Sequence, residues 1–291
     1  MLPDYHIHTW RCGHATGELN EYVEAARING LKEIGFADHI PLYWLPEAAR
    51  DPGLAMKEED LKSYIEEVKR LQRNNPDLTV RLGIEADYIP GKAEKLADLL
   101  SAYPFDYLIG SVHYLNGWGF DHPDRRNEYS FREIKEVYAS YFSLLQDAAC
   151  SGIFDIIAHP DLVKKFGYRP KIDPSLWYEQ TARVFARCGV CVEVNTAGLR
   201  APAAEIYPAL DFLRACRKYN VPVTTGSDAH SPAQVGYGWK EVRQWLQAAG
   251  YREVAFFCQR SSKLKKFILK FSNKNFAVKA VKYVDKEKLP W

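Results

Sequence analysis

No stretch of this chain approaches the roughly 18 uninterrupted apolar residues that a membrane-spanning helix requires, so no membrane span is expected. The opening, MLPDYHIHTW, has neither a basic n-region nor a long apolar stretch, and no secretory signal or transit peptide is read there. Cysteine is scarce. Cys12, Cys150, Cys188, Cys191, Cys216 and Cys258 are scattered through 291 residues, which argues against a dense disulfide framework and suits a reducing cytosol. The expected location is therefore cytoplasmic. There is no low-complexity tract, no internal repeat and no linker that would divide residues 1–260. Neither sign of charge dominates: the formal net charge is +2, but residues 261–291 hold nine lysines against Asp285 and Glu287. That leaves 30 basic and 35 acidic groups in residues 1–260. A mildly acidic body is a poor match for a protein that tracks a nucleic-acid backbone, so no nucleic-acid partner is expected. The chain is read as a single domain, residues 1–260, with a short Lys-rich extension, residues 261–291.

Against these absences stand 47% hydrophobic and 13% aromatic residues, enough for a large globular core. Short β-branched or apolar runs alternate with stretches of helical period, the pattern of a parallel sheet wrapped by helices. Strands are read near 5–9, 33–39, 79–88, 107–115, 154–159, 191–197 and 222–230. Helices are read near 19–29, 58–73, 91–102, 131–150, 175–188, 205–219 and 239–249. Asn29-Gly30, Gly152, Gly189 and Gly250 follow helices at positions suited to left-handed caps. Ser130 with Glu133 three residues on reads as a capping box for the fourth helix. Residues 251–257 would add a final strand. The segment KLKKFILKF has the amphipathic look of a helix packed on the barrel, on a partner or on an anionic membrane. Cys188 and Cys191 form a lone C-x-x-C, and with no second pair to complete a thiolate zinc site both are read as buried structural residues.

Six of the seven strands carry, at or near their ends, a residue that can bind a metal, and no histidine stands at a strand beginning. His6 and His8 are two apart, so the pleat of the first strand points both imidazoles to one side. Asp228 and His230 repeat that spacing on the seventh strand. His39, Glu85, His113 and His159 sit at or near the ends of strands two to five, and His14 follows the first strand in a loop that Gly13 and Gly17 can bend back. In a parallel α/β barrel the carboxyl ends of all strands converge on one face, where catalytic groups collect. One histidine at a strand end is commonly just a satisfied polar residue; seven in phase are not explained that way. Imidazole and carboxylate donors suit zinc, iron or manganese in a hydrolytic site. Nine donors exceed the needs of one ion but divide comfortably among three, with Glu85 as a bridge. Such ions outweigh Glu85, Asp228 and one hydroxide in charge, and the surplus calls for an anion such as a phosphate monoester.

The segments DYHIHTWRCGHATG, EIGFADHIP, LGIEADY, LIGSVHYLNGWGFD, DIIAHPDLVKKFG, EVNTAGLR and TTGSDAHSPAQVG resemble the PHP superfamily, named for polymerase and histidinol phosphatase domains, in its histidinol-phosphatase branch. The resemblance spans about residues 4–260. It implies a TIM-like, distorted (β/α)7 barrel with three divalent ions, zinc, iron or manganese and possibly mixed. His6, His8, Glu85 and Asp228 would hold one ion, His14, His39 and His230 a second, and Glu85, His113 and His159 the third. Glu85, Asp228 and His230 would stand at the reacting centre, where a hydroxide bridging two ions attacks phosphorus. Asp228 or a bound water would then assist departure of the alcohol. The implied reaction is hydrolysis of L-histidinol phosphate to L-histidinol and phosphate, a step of histidine biosynthesis.

Arg200, just past the sixth strand, is the first choice to clamp phosphate oxygens, and Lys164 the second. Ser111 is expected at the barrel mouth, either on substrate or, like Asn195, tying down a metal ligand. His122 lies in GWGFDHPDR, where Trp118 and Phe120 would form a lid or a stacking surface for an imidazole. Asp121 or Asp161 would receive the amino group. Two other readings compete: a PHP phosphoesterase acting on nucleotides or nucleic-acid ends, and a non-catalytic PHP-type interaction module, which should show gaps in the ligand set. Oligomeric state is not legible in the sequence.

Overall fold

The structure, a computed structural model, describes residues 2–267. The strands in chain order are β1 (Asp4–Ile7), β2 (Glu33–Phe36), β3 (Thr79–Asp87), β4 (Tyr107–Ser111), β5 (Tyr114–Leu115), β6 (Trp118–Gly119), β7 (Ile156–Ile157), β8 (Cys191–Asn195), β9 (Val223–Gly226), β10 (Glu253–Cys258) and β11 (Ser261–Lys266). The helices are α1 (Leu19–Ile28), α2 (Asp60–Asn74), α3 (Ala93–Ser101), α4 (Ile134–Cys150), α5 (Ser175–Cys188), α6 (Leu210–Lys218) and α7 (Trp239–Ala248). Among the described residues no helix is long and apolar enough to cross a membrane.

Seven strands pair in parallel in the order β1-β2-β3-β4-β7-β8-β9. The two edges then meet. His8 N donates to Ala229 O at 2.9 Å and Ala229 N donates to His6 O at 3.1 Å, so the sheet curls into a nearly closed seven-strand barrel, as the sequence implies. The helices run outside it. In α4 the buried residues Val137, Tyr138, Tyr141, Phe142, Leu145, Ala148 and Ala149 recur at helical spacing and make one apolar face, which is why this segment forms a packed helix. The strands are covered on both faces and are buried throughout in β1, β2, β4 and β8.

The period of two along each strand divides the barrel interior into layers. On β4, Tyr107 and Ile109 join a core of Tyr5, Ile156, Cys191 and Phe257, while Ser111, one step further along, reaches the polar end. Cys191, Glu193 and Asn195 climb β8 in the same order, from apolar to polar. The Tyr107 ring lies across β3 at Gly83, and its hydroxyl donates to Tyr5 O at 2.7 Å. The other end of this core is closed by the antiparallel β10–β11 hairpin, which contributes Ala255 and Phe257. Phe257 N donates to the Tyr5 hydroxyl at 3.1 Å, and Arg260 Nη2 donates to Ile153 O at 2.7 Å.

Several local expectations are overturned. Residues 253–258 do form a strand, but outside the barrel sheet; Ser261–Lys266, which hold the start of KLKKFILKF, pair with it as β11 and not as a helix. The remainder of that segment lies outside the described residues, and the expected boundary at residue 260 falls in the hairpin turn. The capping box at Ser130 is absent because residues Pro123–Phe131 form a 3-10 stretch and Ser130 Oγ donates to Asn127 O; the capping box lies instead at Glu18 and Glu21 of α1. Gly30, Gly152, Gly189 and Gly250 do adopt positive φ after their helices. Cys191 is buried, but Cys188 forms a disulfide with Cys150, joining the ends of α5 and α4 across 38 residues of sequence. A pairing between adjacent helices leaves no local spacing signal.

Because the Tyr107 ring occupies the space beside Gly83, a methyl group there overpacks the core. Gly83→Ala is expected to destabilise the fold by about 1–3 kcal/mol, measured by chemical denaturation; unaltered stability would contradict this close approach.

Candidate metal centre

Along β3, Gly83 makes room for the core, and Glu85, two residues on, stands one layer higher at 1% exposure. Its Oε2 lies 3.2 Å from His6 Nε2, 3.5 Å from His8 Nε2 and 3.0 Å from His39 Nδ1. Its Oε1 lies 3.1 Å from His159 Nε2 and 3.9 Å from His113 Nε2. The two oxygens thus face different histidines. Asp228 Oδ1 is 3.2 Å from His8 Nε2 and 3.5 Å from His230 Nδ1. His14 Nε2 and His230 Nε2 approach to 3.0 Å. All nine residues singled out from the sequence converge at the carboxyl end of the barrel.

Most of them lie past the strands and not within them. Only His6 and Glu85 belong to strands; β2, β4, β7 and β9 stop two to four residues before His39, His113, His159, Asp228 and His230. The pleat argument therefore fails for Asp228 and His230. Asp228 adopts φ 55° and His159 φ 25°, positive values that are strained for side-chain-bearing residues and that cluster at functional sites. The surroundings hold them: His159 N donates to Glu193 Oε2 at 2.7 Å.

A second ring of groups sets which imidazole nitrogen faces the centre. His6 Nδ1 donates to Glu193 Oε1 at 2.7 Å and His113 Nδ1 to Asp87 Oδ1 at 3.0 Å. His14 Nδ1 lies 2.9 Å from Gly53 O and 3.0 Å from Cys12 O, and His230 Nδ1 lies 3.1 Å from Asp228 O. Each leaves Nε2 as a lone pair directed inward. The facing Nε2 atoms of His14 and His230 would repel unless a cation lay between them. His6 Nε2 and Glu85 Oε2 are likewise buried with no hydrogen-bond partner. Orphaned lone pairs at this density fit divalent cations, with imidazole and carboxylate as donors.

The electrostatics agree. Burial opposes charge on His6, yet Glu193, Glu85 and Asp228 push its pKa well above the usual value. Burial is outweighed again at His8, raised to about 9 through Asp228 and Asp38, and at His113, raised to about 10 through Asp87. These sites attract positive charge. His230 moves well below its usual value through burial and the neighbouring His8, and His14 falls to about 4 through burial, His39 and His8. Burial raises the Glu85 carboxyl, but His6 and His39 pull it well below the usual range, so it stays ionised.

Sequence reasoning missed the outer partners. Glu193 interrupts the apolar run CVEVN, Asp87 stands two residues after Glu85, and Asp38 precedes His39; an acid buried in an otherwise apolar strand was the available signal for Glu193. Gly226 on β9 belongs with it, since a side chain there would collide with Glu193 and His6. Cys12 stands beside this group: its Sγ and nitrogens of His14 and His230 lie within 4.8 Å of one another, while burial pushes the thiol pKa up.

His14, His39, His113, His159 and His230 border a cavity of about 810 Å³, also lined by Arg200, His122 and Asp121. Arg200 Nη2 donates to Ser227 O at 2.8 Å and Asp228 O at 3.0 Å, which holds the guanidinium at the site. Lys164 is misplaced in the sequence reading. It is fully buried, paired with Asp161 at 2.7 Å and Glu205 at 3.1 Å, and its neighbour Lys165 lines the cavity, 3.0 Å from Asp121. Asp161 is fully buried, with Oδ2 paired to Lys164, and does not line the cavity where an amino group would bind. Ser111 is fully buried and donates to Glu85, so it supports that carboxylate and does not line the cavity. Asn195 Nδ2 likewise supports Glu193, at 2.9 Å. Trp118 and Phe120 form no lid, because both are buried against Tyr129 and Tyr141.

Removing the acceptor that orients His6 should loosen the centre without touching a donor to the metal. Glu193→Ala is expected to weaken metal affinity by roughly 10- to 100-fold, read by chelator competition; undiminished affinity would contradict the orienting role.

Comparison with known proteins agrees with this geometry. The model of the PHP domain matches residues 4–197, and that of a PHP-associated region matches residues 212–246. A Deinococcus radiodurans protein named probable histidinol-phosphatase is 43% identical over 258 residues, covering 88% of this chain and 96% of that one. Histidinol-phosphatase of Bacillus subtilis is 30% identical, covering 81% of this chain and 96% of that protein. The crystal structure of histidinol phosphate phosphatase from Lactococcus lactis, complexed with zinc, L-histidinol and phosphate, superposes with a TM-score of 0.76 at 21% identity, covering 90% of this chain and 98% of that one. By the extent of the family match and by these relatives, the chain belongs to the PHP domain family.

Proposed function

We propose that the protein is a metal-dependent histidinol-phosphatase, hydrolysing L-histidinol phosphate to L-histidinol and phosphate in the cytoplasm. The observation that carries the metal chemistry is the split of Glu85, with Oε2 facing His6, His8 and His39 and Oε1 facing His159 and His113. The relatives named for this activity, at 43% and 30% identity over nearly their full lengths, carry the substrate.

Three divalent ions are the proposed complement, zinc, iron or manganese. His6, His8, Glu85 and Asp228 would hold one, His14, His39 and His230 another, and Glu85, His113 and His159 the third. Bound there, divalent metal lowers the pKa of water and neutralises the charge of a transferring phosphoryl group. The remaining work belongs to the chain. Glu193 and Asp87 hold His6 and His113 in the tautomer that presents Nε2. Arg200 is tied to the Asp228 backbone and keeps Nη1 buried without a partner, a donor available to a phosphate oxygen. Lys165 replaces Lys164 as the lysine at the cavity wall. Asp51, Asp121 and Asp124 line the same cavity and suit the ammonium of histidinol, with His122 beside them. Asp121 stays ionised: burial opposes this, but Lys165 and His113 bring it to about 2.

In side-by-side assays, histidinol phosphate is expected to be turned over faster than any nucleoside monophosphate; an equal or greater rate on nucleotides would move the assignment to a nucleotide phosphoesterase. His8→Ala and Glu85→Ala should abolish turnover, whereas Arg200→Ala should mainly raise KM. Full activity in the Glu85 variant would rule out its place between ions.

A further inference from the structure

Tyr207 follows β8 on the connection to α6. Its backbone pairs with Asn195 in both directions, Asn195 N donating to Tyr207 O at 2.7 Å and Tyr207 N to Asn195 O at 3.0 Å. The ring rests over Gly198, where any side chain would collide with it, and the Lys164 ammonium lies 5.5 Å from its centroid. Backbone and ring are therefore fixed by the protein.

The hydroxyl is not. Tyr207 is 1% exposed, and among the described residues its oxygen has no hydrogen-bond partner. Eight other tyrosines are buried as deeply, and every one of them donates to a protein oxygen. Tyr207 is the exception, and it lines the metal-side cavity. A buried hydroxyl without a partner is destabilising, a cost that a cavity ligand would remove. The charges that bear on the hydroxyl, after burial, are Asp161, Asp228, Asp121 and Arg169, none of which it reaches. Arg200, earlier on the same connection and lining the same cavity, also keeps Nη1 buried without a partner. Of the unpartnered donors on this connection, these two line the cavity, and beside a centre built to collect cations they call for an acceptor-rich anion.

We propose that the Tyr207 hydroxyl donates a hydrogen bond to a phosphate oxygen of substrate and product, making Tyr207 a substrate-binding residue alongside Arg200. This rests on the phosphatase reading above. The side chain supplies a directed donor without a charge of its own, so it positions the phosphate without competing with the metals for it.

The test is Tyr207→Phe in the metal-loaded protein, with inorganic phosphate as probe in calorimetric titration, together with kinetics on histidinol phosphate and a thermal melt. The variant should bind phosphate roughly tenfold more weakly, the loss of one charge-assisted hydrogen bond. Its melting temperature should be unchanged or higher, because no internal hydrogen bond is lost. Phosphate affinity and kcat/KM within twofold of the unmodified protein would overturn the proposal, as would a lower melting temperature at unchanged phosphate affinity. Should the unmodified protein ignore histidinol phosphate yet bind inorganic phosphate more tightly than the variant, the substrate assignment would fall and the role of Tyr207 would stand.

Discussion

A carboxylate held out of water at the end of a parallel barrel organises this molecule. Glu85 is 1% exposed, and an isolated anion in that position would cost several kcal/mol. It is sustained because five imidazoles converge on its two oxygens and because Ser111 donates to it. The outer acids carry the arrangement outward. Glu193 orients His6, holds the His159 backbone and is itself held by Asn195, so one buried glutamate steadies ligands from opposite sides of the barrel.

The interior is accordingly divided along its axis. The lower part is apolar and tightly packed around Tyr5, Tyr107 and Phe257, with the β10–β11 hairpin closing it. The upper part is polar and strained, with His159 and Asp228 in backbone conformations that favour glycine. A rigid base supports a precise donor set, while the loops beyond the strands carry Arg200, Lys165 and Tyr207 to the cavity. Chemistry and stability thus occupy different layers of the same strands.

The architecture and the gathering of nine candidate metal-binding residues were legible because they rest on regular signals: helical periodicity, glycine caps, and histidines and carboxylates at or just past strand ends. What escaped depends on a turn or on a distant partner. Lys164 and Lys165 are adjacent, and only the short 3-10 turn that follows Asp161, itself at φ 86°, decides that the first is buried and the second lines the cavity. Sequence left Ser111 between substrate and a metal-binding side chain because its acceptor, Glu85, lies on the neighbouring strand. The start of KLKKFILKF has a helix-like look, yet pairing with EVAFFC makes it a strand, a tertiary preference that composition does not carry. Tyr207 had no sequence signal, since its distinguishing feature is a hydrogen bond that the protein itself does not make.

Anomalous diffraction at the zinc, iron and manganese edges, from crystals grown with phosphate under metal-replete conditions, addresses the role of Glu85 most directly. Ions bound to each of its two carboxylate oxygens, with phosphate against them, are the expected result. A Glu85 carboxylate free of metal, its oxygens satisfied by protonated histidines alone, would contradict metal-dependent hydrolysis at this site.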